Sequence, residues 1–77
     1  MSAAGVEDRA TIKALRTLEA ARPLGLARIT GGWKGIAGRI DARTGLALAA
    51  QQLARVDYSG RYPRLKITRA GRSAIGQ

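Results

Sequence analysis

"TGGWKGIAGRI", residues 30–40, is the stretch on which the fold turns. Trp33, Ile36, Ala37 and Ile40 recur at i, i+3, i+4 and i+7, the spacing of one helix face. Four glycines (31, 32, 35 and 38) interrupt it, and each costs up to about 1 kcal/mol in a helix interior. The periodicity predicts a helix over 30–40, with Thr30 as its N-cap and Trp33 as a core anchor. Gly35 or Gly38 would then let a neighbouring helix approach closely.

Outward from this stretch the pattern is clearer. "DRATIKALRTLEAAR", 8–22, places Ile12, Leu15 and Leu18 on one side, extended by Ala14 and Ala21. Arg9, Lys13 and Arg16 lie on the other side, Asp8 can cap the start, and Pro23 ends the helix. Residues 1–7 are small and polar, as in a disordered N-terminus. "LGLARIT", 24–30, alternates loosely, as a short strand or a linker would. After the turn "DART", 41–44, a third helix is expected over 44–56, with Leu46, Ala49, Ala50 and Leu53 inward. The opposite side would carry Thr44, Ala47, Leu48, Gln51 and Arg55.

"DYSGRYPRLKITRAG", 57–71, reads as a hairpin. Gly60 suits its turn, Pro63 is tolerated at a strand start, and Leu65 and Ile67 share one face while Arg64, Lys66 and Thr68 share the other. "RAGRSAI", 69–75, closes the chain as a short helical stub. The expected fold is α+β: three helices followed by a two-stranded β-hairpin, in one domain over 8–77.

Composition narrows the function. The 77 residues contain neither cysteine nor histidine, which removes thiolate metal sites and the commonest general base. The five acids (Glu7, Asp8, Glu19, Asp41, Asp57) suggest no catalytic pair, so no enzyme, metal or cofactor is expected. In "TGGWKG" the Lys precedes the last Gly, so the phosphate-loop pattern is not met. No apolar run approaches the roughly 20 residues that span a bilayer, and no leader pattern opens the chain. A soluble cytoplasmic protein without a membrane partner or small-molecule ligand is the expectation. Fourteen cations, eleven of them Arg, face five acids, a net charge of +9. Codon bias explains Arg over Lys but not the scarcity of acids. The first 38 residues hold six cations and three acids, the last 39 eight and two. So uneven an excess points to a polyanion, nucleic acid foremost.

Three segments carry a family resemblance: "IAGRIDARTGL" at 36–46, "LARVDY" at 53–58 and "YPRLKITRAGRSAI" at 62–75. With them the chain resembles, over about 8–75, a winged helix-turn-helix domain of the broad bacterial regulator type, similar to the MarR and PadR families. The resemblance implies a sequence-specific double-stranded DNA-binding protein, a transcriptional regulator such as a repressor, acting as a homodimer. It implies that the third helix, about 44–55, lies in the major groove. Arg43, Thr44, Ala47, Leu48, Gln51 and Arg55 would then meet base edges. Leu48 could instead pack in a rotated register or form an interface. The wing, about 57–69, would set Arg61, Arg64, Lys66 and Arg69 on phosphates or in the adjacent minor groove, and Lys34, at the start of the second helix, could meet the backbone. Tyr58 and Tyr62 would pack across the hairpin or bond a phosphate. Two other readings remain: an RNA- or ribosome-associated module, and a regulator that grips an acidic protein partner.

Overall fold

Alternation along four-residue strands, rather than helical periodicity, organises this chain. The computed structural model describes residues 9–76. The order is α1 (Arg9–Ala20), β1 (Leu26–Ile29), β2 (Gly32–Gly35), β3 (Gly38–Asp41), α2 (Ala42–Ala50), β4 (Ala54–Asp57), β5 (Arg64–Ile67) and α3 (Arg69–Ala74). The five strands form one sheet in the order β3-β2-β1-β5-β4, antiparallel at every pair. Among the described residues the fold is thus α+β with three helices, but not three helices followed by a two-stranded wing. The expected disordered stretch 1–7 and the Asp8 cap lie outside the described residues.

The overturned element is residues 30–40, which form the β2–β3 hairpin instead of a helix. The glycines decide it: Gly31 and Gly38 take φ of +87° and +144°, values outside the right-handed helix. The helical spacing was a coincidence of two periods. Trp33 and Ile40, seven apart, are cross-strand partners whose side chains share one face. Ile36 and Ala37, the other half of the apparent stripe, are exposed at the hairpin turn, Ile36 at 109%.

Helix α1 buries Thr11, Ala14, Leu15 and Leu18, as its apolar spacing requires. The third expected helix is shorter than 44–56: α2 ends at Ala50, and Ala54–Asp57 is a strand. Its register is also rotated. Gly45 and Leu48 face the core, Leu48 at 1% exposure, while Leu46 stands out at 73% and Ala50 is exposed. The end is a tight one. Gln52 takes φ of +63°, its N–H donates to the Ala49 carbonyl at 3.0 Å, and the Leu53 N–H donates to the Leu48 carbonyl at 2.9 Å. This paired bonding is the Schellman stop, with Leu48 and Leu53 both in the core below it.

Helices α1 and α2 pack on one face of the sheet. That face presents Leu26, Trp33, Ile40, Ala54, Leu65 and Ile67, which join Ala14, Leu15, Leu18, Leu48 and Leu53 in a single core. The stub α3 is tied on by Thr68. Its hydroxyl accepts from the Gly71 N–H at 3.0 Å, capping the helix, and donates to the Gln52 carbonyl at 2.7 Å. Arg72 then reaches Glu19 of α1, Nε to Oε1 at 3.2 Å. Among the described residues no helix is long and apolar enough to cross a membrane.

Two substitutions on α2 test its register. Leu48→Ala should cost about 2–5 kcal/mol, enough to unfold most of so small a domain, whereas Leu46→Ala should change stability by under about 0.5 kcal/mol. Urea denaturation followed by circular dichroism reads both, and equal costs would refute the register. Gln52→Gly keeps the carbonyl that Thr68 uses and relieves a left-handed non-glycine residue. It should raise the urea midpoint by the equivalent of about 1 kcal/mol.

Candidate nucleic-acid interface

Directly opposed residues in an antiparallel sheet point to the same side. The register therefore fixes what the outer face carries. One row crosses all five strands: Arg39, Lys34, Ala27, Arg64 and Asp57 are opposed in succession. A second row sets Lys66 opposite Arg55. Neighbouring strands lie about 4.8 Å apart, so Arg39 and Arg64, three strand gaps apart, span roughly 14 Å of a single line. Among the described residues no helix covers this side. Lys34, Arg39 and Arg55 are exposed, and Arg64 and Lys66 are half-buried.

The acids on this face are Asp41 at the β3 edge and Asp57 in β4. Asp57 is fully engaged. Its Oδ2 takes a 2.6 Å ion pair from the Lys66 ammonium, and its Oδ1 accepts the Ser59 N–H at 2.8 Å. These partners, Lys66 first, hold the Asp57 carboxyl well below the usual carboxylate range. Lys66 is neutralised in return and the loop after β4 is pinned at its start. Among the described residues, no carboxylate lies within ion-pair reach of Lys34, Arg39, Arg55 or Arg64.

The residues expected to bind from sequence do not form one surface. Lys34, Arg64 and Lys66 do meet on the open sheet face, and Arg55 joins them there from β4 rather than from a helix. Arg61 is exposed in the β4–β5 loop, and Arg69 is exposed at the start of α3. Arg43 and Ala47 are exposed on α2 and Thr44 is half-buried, all in the helix layer on the other side of the sheet. Gln51 folds back, its Nε2 donating to the Ala47 carbonyl at 3.2 Å. Leu48 is a core residue.

Arg39 is the cation that sequence reasoning passed over, because it sat inside the expected helix. Its signal was available: "KGIAGR", 34–39, is a Lys and an Arg placed symmetrically about two glycines. A tight hairpin puts such a pair opposite one another.

Because its carboxyl titrates below the unfolded value near 3.9, Asp57 contributes stability above that pH, and the contribution is lost as pH falls towards its folded value. Asp57→Asn should therefore lower the melting temperature by a constant amount from pH 7 to about 5. The gap to wild type should narrow below about pH 4. A gap that stayed constant across the whole range, in melts recorded at successive pH values, would leave the pair without a role.

Compared with protein-family models, curated proteins and solved structures, the chain matches none.

Proposed function

We propose that this protein binds double-stranded DNA by laying the open face of its sheet along the phosphate backbone. The observation that carries the reading is the line of cations, Arg39, Lys34 and Arg64, with Arg55 beside it, on a face where, among the described residues, they have no ion-pair partner and no helix covers them. Phosphates are the ligand that suits guanidinium and ammonium groups held without acids. The face has no aromatic residue, so it offers no platform for stacking single-stranded bases.

Dimensions set the mode. Five strands make a sheet about 20 Å across, too wide for a major groove about 12 Å wide. The face bridges phosphates instead of entering between them. Such contacts give affinity and register, and sequence preference then arises from duplex shape and stiffness rather than from base edges. A regulatory role in transcription would rest on that preference.

Anisotropy of a labelled duplex of about 20 base pairs, titrated at several salt concentrations, tests the reading. With four phosphates neutralised, log K should fall against log salt with a slope of roughly −3 to −4. The Arg39→Ala, Arg64→Ala double variant should bind more weakly to every sequence alike and lower the slope magnitude by about 2. If Arg43→Ala abolishes binding while the sheet variant binds normally, the interface is on α2 and this proposal fails. Absence of any DNA binding, with RNA or an acidic protein bound instead, would equally overturn it.

A further inference from the structure

At the end of the sheet where β4 turns towards β5, a cavity of about 310 Å³ lies between α2 and the sheet. That volume lies at the small end of the range for small-molecule sites, roughly 300–1,000 Å³. Its walls are Arg28, Trp33, Leu46, Val56, Tyr58 and Leu65. The chemistry of this lining is unlike the rest of the surface. Arg28 is opposed to Trp33 in the sheet, and so points to the helix side, where every other strand residue of size is apolar. Its guanidinium carbon stands 5.3 Å from the centre of the Trp33 ring, the geometry of a cation–π contact. Among the described residues no carboxylate is within ion-pair reach of it. Across the cavity Tyr58 is 71% exposed, and Leu46 of α2 is likewise left in water.

The backbone fixes the walls of the cavity. A Cβ at Gly45 would stand 2.7 Å from the Trp33 indole nitrogen, so only glycine lets α2 sit against the ring. The Asp57 carboxylate fixes the start of the loop through Ser59, which positions the residue between them, Tyr58. Further along the same loop Arg61 and Tyr62 are exposed.

A cation over an indole, an exposed phenol opposite it and an apolar floor suit one kind of ligand: a flat aromatic ring that carries an anion. We propose that the slot between Tyr58 and the Arg28–Trp33 pair receives an unpaired nucleobase with its phosphate. The base would stack against Tyr58 and the guanidinium, and the phosphate would take Arg28. This deepens the nucleic-acid reading above and rests on it. The preferred partner becomes a duplex that also offers an unpaired base, at an overhang, a bulge or a melted end. The β4–β5 loop, with Arg61, is the path by which a strand leaves the basic face and reaches the slot.

Trp33 is the chain's sole tryptophan, so its fluorescence reports on this slot directly. The probes are a blunt duplex, the same duplex with a five-nucleotide overhang, and a single-stranded oligonucleotide of ten thymidines. The overhang should bind about tenfold or more tightly than the blunt end and quench Trp33. Tyr58→Ala should abolish both the difference and the quenching, Arg28→Ala should weaken both, and Tyr58→Phe should restore them. Equal affinity for the two duplexes without quenching would overturn the inference while leaving duplex binding intact. Conversely, quenching by the single strand in a protein that ignores the blunt duplex would sustain the slot and sink the duplex proposal.

Discussion

Period-two alternation in a one-sided sheet is the constraint from which the rest of this structure follows. Each strand is only four residues long and must seat its core residues against α1 and α2. Leu26, Trp33, Ile40, Ala54, Leu65 and Ile67 meet that demand. Their neighbours are then forced to the other side, whatever they are. Here they include Lys34, Arg39, Arg55, Arg64 and Lys66. A shift of one residue in any strand would bury these cations and expose the core, so the hydrophobic set and the basic face specify each other.

How far this was legible depends on which period each segment obeys. Leu15 and Leu18 have no competing reading as strand residues, so α1 was plain. The terminal hairpin was plain for the same reason: Leu65 and Ile67 alternate with Arg64 and Lys66, and Gly60 marks the turn. Residues 30–40 were ambiguous because a cross-strand pair in a short hairpin, Trp33 with Ile40, is seven residues apart, two helical turns. The glycines were the better witness. A segment with four of them has no reason to be helical unless something else holds it, and two occupy positive φ. In α2 the obstacle was composition. Ala47, Ala49 and Ala50 give almost no amphipathic contrast, so the rotation of the helix was set by Gly45 fitting under Trp33, a tertiary fact. The site followed the same pattern: Lys34, Arg64 and Lys66 were found as cations, but only strand register could join them to Arg39 and Arg55.

The C-terminal segment shows how a short motif acquires its spacing from packing. "ITRAGR", 67–72, reads in the structure as a sequence of fixed tasks. Ile67 closes the core, Thr68 caps α3 and holds the Gln52 carbonyl, and Gly71 passes against the Leu53 carbonyl with no room for a Cβ. Arg72 then completes the ion pair with Glu19. The end of α2, the exit of β5 and the last turn of α1 are thereby fastened at one corner. All of these contacts are internal to the fold, and none of them involves a ligand. A motif that suggests a family from sequence can therefore be a folding motif, and its presence alone does not identify the surface that binds.

The open face is costly in isolation. Lys34 stands directly opposite Arg39, and Lys66 directly opposite Arg55, and like charges so placed destabilise a sheet. Asp57 offsets the second pair through Lys66, but the first has no carboxylate within ion-pair reach among the described residues. A domain of 77 residues has little stability to spare for such repulsion. Nothing in the packing requires it, since threonine at either position would suit an exposed strand better. Repulsion that folding does not need is the mark of a surface shaped by something outside the fold. A line of phosphates would turn the same juxtaposition from a cost into a source of affinity, so binding and stability would rise together. Five of the fourteen cations stand on this face, and four of them have no carboxylate within ion-pair reach among the described residues. On this reasoning their placement, rather than the total charge, is what a polyanion would read.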